Sequence, residues 1–431
     1  MEHRKAEPAG PAQKRLHPGW FVILAGLVAT FMTTPGQTVG IAPFIDHISS
    51  DLALTRDEVL MYYSLGTLFG VLPAPFIGRL SDRFGPRRVI PVVVLAVSMA
   101  CLALALVQGP VTLAAAFAFL RGSATGGLGL VSGQMINLWF VRYRGRANAV
   151  SMMGLALGGL IIPGLSEQIT GALGWRVSYM VLGAGVLAIM LPVGLLLFRN
   201  RPEAYKDLPD FGWVPTEKAA ALSGVLTVRE AFRAPIMWYF LAIAVVINSI
   251  GTALVVDHLR LVDAAGIGRS AAISVLGIVP TMQVVAVIGG GFLVDRLGTR
   301  STGLIGLAIN ALAVLCVMVW ADLLGGAAYL TLLGLSLGML HVVQGAAIAE
   351  HFGTRVLGAL RGIVFVVGAF GAAAGPLIFA VWSAEAGYAI FLALVGTAVL
   401  LGIFSPAPQW RKGCESLASQ LPQSSRSAPS K

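Results

Sequence analysis

The stretch GRLSDRFGPRR, residues Gly78–Arg88, is a short cluster of charge between two long apolar runs. A second copy, GFLVDRLGTR, occupies residues Gly291–Arg300. Asp295 of this copy corresponds to Asp82 of the first. The separation in sequence between these two aspartates equals that between Gly85 and Gly298 and that between Arg87 and Arg300. One offset shared by several residues indicates that two halves of the chain repeat one architecture.

Two further landmarks outside the motif show the offset that separates Asp82 from Asp295. Arg142 matches Arg355, and Pro163 matches Pro376. Separate landmarks with one offset are hard to obtain by chance. The sequence therefore predicts two parallel repeats of six helices each.

The composition places the chain in a membrane. Of its 431 residues, 57% are hydrophobic and only 12% are charged, which is too little polar surface for a soluble globular fold. The apolar runs are roughly 20 residues long, enough to cross about 30 Å of hydrocarbon as a helix, and lipid requires a backbone that satisfies its own hydrogen bonds. We expect an all-α membrane protein of twelve transmembrane helices in two pseudo-symmetric six-helix bundles. The expected segments are a tail (1–18), the first bundle (19–198), a linker (199–234), the second bundle (235–405) and a second tail (406–431).

The distribution of positive charge predicts the orientation. With spans placed alternately and the N-terminus inside, 25 of the 30 Lys and Arg residues fall in inner segments and four in outer loops. This bias follows the positive-inside rule, so the net charge of +10 is a topology signal and nucleic acid is not an expected partner. We expect a multi-pass protein of the inner or plasma membrane with both termini cytoplasmic.

Arg121 is the charged residue that lies deepest in a predicted span. It sits some nine residues into span 4 (112–138), which is about 13 Å below the outer edge at the helical rise. A guanidinium at that depth is costly unless it meets an anion, a carboxylate or water, so it is a candidate substrate ligand. The alternative is a structural arginine held by an ion pair or by backbone carbonyls.

Three other residues are candidates for contact with substrate. Gln37 lies in a polar break of span 1, and broken helices often line a cavity, although a simple kink explains the break equally well. Tyr62 is either a ligand contact or an interfacial aromatic. His341, near the inner end of span 10, is either a site residue or a packing histidine.

The candidate residues for proton coupling are Asp257 and His258, which are adjacent at the outer end of span 7. Histidine changes charge most readily near neutral pH, which makes His258, like His341, a candidate proton carrier. On the same side of the membrane, Glu167 and Arg176 are expected to form a surface ion pair.

The repeated motif specifies geometry as well as charge, because topology alone would not require glycine and aspartate at fixed spacing. Asp82 follows span 2 and can accept hydrogen bonds from the N-terminus of a neighbouring helix. Such a contact would latch the two bundles together in one of the two orientations that alternating access needs. The candidate latch residues are Gly78, Asp82, Arg83, Gly85, Arg87, Asp295 and Arg296.

The pattern G-x-L-x-D-R-x-G-x-R-R between spans 2 and 3 resembles the signature loop of the major facilitator superfamily. The stretches PGQTVGIAPF (Pro35–Phe44) and TVREAFRAPIMW (Thr227–Trp238) are similar to those of bacterial monocarboxylate-porter-like and oxalate/formate-antiporter-like members. The resemblance implies uptake or exchange of small carboxylates, and we expect a proton gradient to drive it. Such relatives often carry a basic residue deep in span 8 or 11, whereas this chain has only Arg361, near the inner end of span 11. The carboxylate interpretation therefore depends on Arg121 and on the resemblance.

Two other functions remain open. An efflux pump for amphiphilic drugs or metabolites fits the apolar spans and the scarcity of buried charge, and a sensor could keep the fold without flux. No Walker-type loop, metal cluster or catalytic pair occurs in the sequence, so we expect neither an enzyme nor a cofactor or metal. The expected partners are a small solute, the bilayer and a proton or other coupling ion, and the protein is expected to be a monomer.

Overall fold

A computed structural model describes residues 18–205, 227–264, 277–318 and 323–405, and its regular elements in these ranges are all helices. Eleven of these helices are long and apolar enough to cross a membrane. One of them, Ile278–Met318, has 41 residues and would be about 62 Å long, twice the hydrocarbon thickness. It is two helices joined at Gly298, whose φ of 79° is non-helical. The described residues therefore form twelve spans, and the predicted fold class is confirmed.

The spans keep the order predicted from the sequence. In the N-terminal half they are Pro18–Phe31 with short helical turns to Asp51, Arg56–Gly70 with Ala74–Phe84, Pro86–Ala105, Pro110–Ser123 with Ala124–Gly129 and Leu130–Trp139, Arg144–Leu173, and Trp175–Leu196. In the C-terminal half they are Pro235–Ala264, 278–297, 299–318, Leu323–Phe352, Leu357–Val381 and Ala384–Phe404. Two short helices, Pro202–Tyr205 and Val228–Arg233, flank the undescribed part of the linker.

Local sequence explains where several helices begin. Prolines start the helices at Pro86, Pro110 and Pro235, because the first turn of a helix needs no proline N–H. Span 2 begins with a capping box, in which the Thr55 side chain accepts from the backbone N–H of Glu58 and the Glu58 carboxylate accepts from that of Thr55.

The apolar side chains pack into two separate cores. One core is built from residues between Val22 and Phe198, and the other from residues between Ala231 and Ala398 together with Ala149 of span 5. Large apolar side chains on the outside of the helices, such as Phe69 and Leu160, remain exposed where lipid would cover them. Each half of the chain thus has its own core.

The sequence predicts that span 2 ends at about Gly78, where the charged cluster begins, and this prediction is wrong. The helix continues to Phe84, so Asp82 lies on its last turn rather than in a loop. The chain reverses at Gly85, with φ 83° and ψ 151°, and the second copy turns at Gly298, with φ 79° and ψ 166°. This backbone region is open essentially only to glycine, which explains why both copies of the motif carry one at this position.

The two ends of the bundle differ in what they carry. The span ends near Gly85 and Gly298 form what we call the latch face, and the other ends form the opposite face. On the opposite face, Arg176 does not form the ion pair predicted with Glu167. Its Nη2 instead lies 2.7 Å from Asp51 Oδ2, and its Nη1 donates to backbone carbonyls at the end of span 3, so it joins three elements of the N-terminal half.

Candidate functional site

Asp82 connects the two halves at the latch face. Its carboxylate accepts hydrogen bonds from the backbone N–H groups of Gly358 at 2.9 Å and Ala359 at 3.1 Å, which open span 11. Gln134 of span 4 donates to the same carboxylate at 2.5 Å. A carboxylate at a helix N-terminus is favoured because the first N–H groups of the helix have no partner within the helix.

Asp295 makes the equivalent contact in the other half. It accepts from the backbone N–H groups of Gly145 at 2.7 Å and Arg146 at 3.4 Å, at the start of span 5. In addition, Arg146 Nε lies 3.2 Å from Asp295 Oδ2, and its guanidinium stacks over Phe292 with 4.4 Å to the ring centroid. The second latch therefore has an ion pair, whereas the first uses an amide.

Glycines let the helices approach closely beside each aspartate. A Cβ on Gly78 would overlap the carbonyl of Gly358, and a Cβ on Gly358 would overlap the carbonyl of Gly78. A Cβ on Gly145 would likewise overlap the carbonyl of Gly291, and a Cβ on Gly291 would lie 2.9 Å from the Cβ of Ala149 and 3.1 Å from the carbonyl oxygen of Gly145. The two crossings, span 2 with span 11 and span 5 with span 8, thus depend on residues without side chains.

The other predicted latch residues stay within their own half. Arg87 donates from Nη2 to the carbonyl of Leu195 at 3.3 Å and so holds the end of span 6, and Gly85 supplies the turn. Arg83 is exposed, with its guanidinium over Phe84, and Arg296 is exposed as well.

A buried amide pair lies between the latch and the centre of the protein. Asn137 of span 4 and Asn148 of span 5 are completely buried and are hydrogen bonded to each other at 3.2 Å. Asn137 also donates to the carbonyl of Gly345 in span 10 at 2.9 Å, across the boundary between the halves. Together with the two latches, this layer joins the two halves on the latch face.

A cavity of about 220 Å³ lies between the halves, on the side of this layer that faces away from the latch face. The N-terminal half contributes Thr30, Thr33, Gln37, Arg121, Thr125, Gly129, Leu130, Met152 and Leu155. The C-terminal half contributes Asn248, His341, Gln344, Gly345, Ile348, Arg361, Val364 and Phe365. Among the described residues, the lining includes two arginines and neither aspartate nor glutamate.

Arg121 reaches the cavity from the last regular turn of Pro110–Ser123 and is only 9% exposed. Its Nη1 donates to the carbonyl of Gly36 at 3.0 Å, and its guanidinium lies 5.8 Å from the centroid of the Tyr63 ring. The π-helical segment Ala124–Gly129 follows directly, and such bulges are frequent at functional sites. Carbonyl and aromatic contacts thus hold the arginine, while its Nε has no hydrogen-bond partner in the described part of the chain.

Gln37 and His341 also line the cavity, on opposite halves. Gln37 follows the 3-10 turn Thr34–Gly36 in an extended conformation, where the first span is interrupted. The 2.6 Å contact between His341 Nδ1 and the carbonyl of Leu337 requires the proton on Nδ1. The other ring nitrogen, Nε2, is therefore the one that can take up a further proton.

The remaining candidates do not join this cavity in the described structure. Tyr62 is half-buried against the N-terminal core, and its neighbour Tyr63 is the tyrosine that contacts Arg121. Adjacent residues on a helix point in different directions, which explains why Tyr63 contacts Arg121 and Tyr62 does not. Asp257 and His258 lie on the helix Pro235–Ala264, but their side chains are outside the described residues.

Sequence reasoning missed several lining residues. They are Arg361, which the sequence places near the inner end of span 11, and Asn248 and Thr125. A lone amide in the apolar run of span 7 is a signal that could have identified Asn248. Three donor atoms of cavity residues are buried without a hydrogen-bond partner within the described ranges: Arg121 Nε, Thr125 Oγ1 and Arg361 Nη1.

Two curated relatives resemble parts of the chain. A probable sulfoacetate transporter of Cupriavidus necator is 28% identical over 210 residues, which is 45% of this chain and 48% of that protein. Monocarboxylate transporter 6 of Mus musculus is 28% identical over 196 residues, or 44% of this chain and 40% of that protein. In both cases the match spans less than half of the relative's length.

Solved structures share the fold over nearly the whole chain. The proton:xylose symporter XylE superposes with a TM-score of 0.69 at 12% identity, covering 90% of this chain and 96% of that one. The profile of the Major Facilitator Superfamily matches residues 22–376. With twelve spans in its described residues, arranged in two halves around a central cavity, the chain belongs to the Major Facilitator Superfamily and is a multi-pass membrane transporter of small solutes.

Proposed function

We propose that the chain is a secondary active transporter of a small organic anion, a monocarboxylate or a similar acid, that works by alternating access with proton coupling. The observation that carries the proposal is the charge of the cavity. Arg121 and Arg361 line it and none of the described lining residues is acidic, while three buried donor atoms on its wall lack an acceptor among them. A carboxylate or sulfonate supplies both the negative charge and the acceptor oxygens.

The relatives support an acidic solute. The names of the two curated relatives specify sulfoacetate and monocarboxylates, which both carry an anionic oxygen group. The alternative function is efflux of amphiphilic drugs or metabolites. It depends on a scarcity of buried charge, and the two arginines on the cavity wall weaken that argument.

The latch face corresponds to the cytoplasmic side in this proposal. The arginines of the repeated motif and of the 142–146 segment lie on that face, as the positive-inside rule requires for an inner or plasma membrane. The structure then represents a state closed to the cytoplasm. His341 is the proton carrier that the cavity offers, and Asp257 and His258 remain further candidates.

Uptake by purified protein in liposomes tests the proposal. Labelled lactate, benzoate and sulfoacetate would be supplied outside, with and without an inward proton gradient. We expect saturable uptake of at least one acid, increased by the gradient and absent from protein-free liposomes. Transport of cationic dyes with no uptake of acids would favour the efflux pump, and binding of an acid without flux would favour the sensor.

A further inference from the structure

Arg361 is a cation on the cavity wall that no described residue balances. It lies in the second turn of span 11, and its guanidinium packs against Gly133 of span 4, where an added Cβ would overlap its nitrogens. Its Nη1 is buried and has no hydrogen-bond partner, and no acidic residue lines the cavity, in the ranges that the structure describes. The guanidinium of Arg361, from the C-terminal half, thus occupies the space beside Gly133 of the N-terminal half.

The surroundings of Arg361 differ from those of Arg121. Arg121 is held by the carbonyl of Gly36 and the ring of Tyr63. A buried charge that lacks such partners is costly, and an anion that moves next to Arg361 would remove that cost. A volume of about 220 Å³ holds several water molecules or one small organic acid.

The two arginines act at different depths. Arg121 and Gly133 lie on the same span, about three helical turns apart, which corresponds to about 18 Å along a helix. The guanidinium of Arg361 packs at Gly133, whereas that of Arg121 reaches Gly36 and Tyr63. The two guanidinium groups thus lie beside different levels of span 4, which defines two cationic positions along the wall of one cavity.

We propose that Arg361 forms an inner anion subsite, which receives the carboxylate or sulfonate group of the solute after its capture at Arg121 and before the latch face opens. This inference rests on the proposed function, because it assigns a second ligand for the same class of solute. The position of the subsite is informative. Gly358 and Ala359, which donate to Asp82 in the latch, precede Arg361 within about one helical turn. In this proposal, the solute and Asp82 therefore both contact the N-terminal end of span 11.

The test compares binding with transport. Wild type, Arg121→Gln, Arg361→Gln, Arg361→Lys and Gly133→Ala would be assayed for binding of labelled benzoate and sulfoacetate in detergent and for uptake in liposomes. For Arg361→Gln we expect uptake at least 10-fold lower with affinity changed less than 3-fold, since Arg121 still captures the anion, and partial recovery in Arg361→Lys. Gly133→Ala should lower uptake as well, because its methyl group displaces the guanidinium. The control is Gly164→Ala, where no atom lies within 4 Å of the added Cβ.

Each outcome separates this inference from the proposed function. If Arg361→Gln takes up acids at the wild-type rate, the inner subsite does not exist, although acid transport stands. If Arg361→Gln loses binding as completely as Arg121→Gln, one site uses both arginines and the two-position scheme is wrong. If the wild-type protein neither binds nor transports any acid, the proposed function fails and the inner subsite fails with it.

Discussion

Asp82 and Asp295, equivalent residues of the two repeats, each accept hydrogen bonds from a helix start in the opposite half of the chain. Gly358 donates to Asp82 at 2.9 Å, and Gly145 donates to Asp295 at 2.7 Å. The two glycines are separated by the same sequence offset as the two aspartates, so each half contributes one carboxylate and one helix N-terminus. Since both contacts cross the boundary between the halves, a movement that separates the halves at the latch face must break both.

Replacing either carboxylate should shift the protein towards a state open at the latch face. Asp82→Asn removes the charge from a group that accepts three hydrogen bonds, and the loss of such a buried interaction costs about 1–3 kcal/mol, or roughly 5- to 150-fold in population. Spin labels on the two sides of the latch face, read by double electron–electron resonance, should report longer distances. Asp295→Asn should act in the same direction and also release Arg146.

Asp46→Asn is the matched control for the two aspartate variants, because Asp46 pairs with Arg56 on the opposite face and is exposed. Distances across the latch face that are the same in Asp82→Asn as in wild type would contradict a latch at this position.

The glycine crossings make a second prediction about the latch. Gly291→Ala places a methyl group against Ala149 and the carbonyl of Gly145, so spans 5 and 8 must move apart. We expect an engineered cysteine on the latch side of the cavity to react at least 5-fold faster with a water-soluble maleimide. Gly289→Ala, on the same helix with nothing within 4 Å of its added Cβ, should leave the rate unchanged. Equal rates in the two variants would show that close contact at Gly291 is unimportant for closure.

The fold was predictable because it depends on two properties that a sequence displays directly. Apolar runs of membrane length set the number of spans, and the offset between Asp82 and Asp295 revealed the repeat. The end of span 2 could not be predicted from charge, because residues such as Arg79 occur in loops and also on the final turns of a helix that emerges from lipid.

The site was less predictable, because a cavity is made by residues from different spans. Arg121 and Gln37 could be recognised as polar residues inside apolar runs. The role proposed for Arg361 depends on the glycine it faces in span 4, in the other half of the chain, and no local pattern reports that contact. Whether Tyr62 or Tyr63 contacts Arg121 depends on the rotation of span 2 about its own axis, which hydropathy alone does not determine.

The turn glycines should matter for stability more than for transport. Gly85 has φ 83° and ψ 151°, a region that costs other residues about 1–3 kcal/mol, and a Cβ there would also overlap the Asn200 side chain. Gly85→Ala should therefore lower the melting temperature of the purified protein by several degrees. Gly171→Ala, in a helix with open space around its Cβ, should lower it less or raise it. A Gly85→Ala protein as stable as wild type would mean that this turn relaxes without cost.

His341 should govern the response to a proton gradient. Its Nδ1 is occupied by the carbonyl of Leu337, so Nε2 can gain and lose a proton within the cavity. In His341→Gln we expect gradient-driven accumulation of the acid to fall at least 10-fold, while exchange of internal for external acid changes less than 3-fold. His47→Gln, an exposed histidine on the opposite face, serves as the control. Accumulation that still follows the gradient in His341→Gln would transfer the proton role to Asp257 or His258.

Arg121 should be required for capture of the anion itself. Arg121→Ala removes a guanidinium that points into the cavity and leaves the carbonyl of Gly36 without its donor. We expect benzoate and sulfoacetate binding to weaken at least 30-fold and uptake to be lost, with the protein still present in the membrane at wild-type amounts. Arg121→Lys should recover part of the affinity, since it keeps the charge but not the planar fork that binds carboxylates. Arg56→Ala removes an exposed arginine of the opposite face and should have no effect on either measurement. Undiminished uptake by Arg121→Ala would show that this arginine is structural and that the solute binds elsewhere.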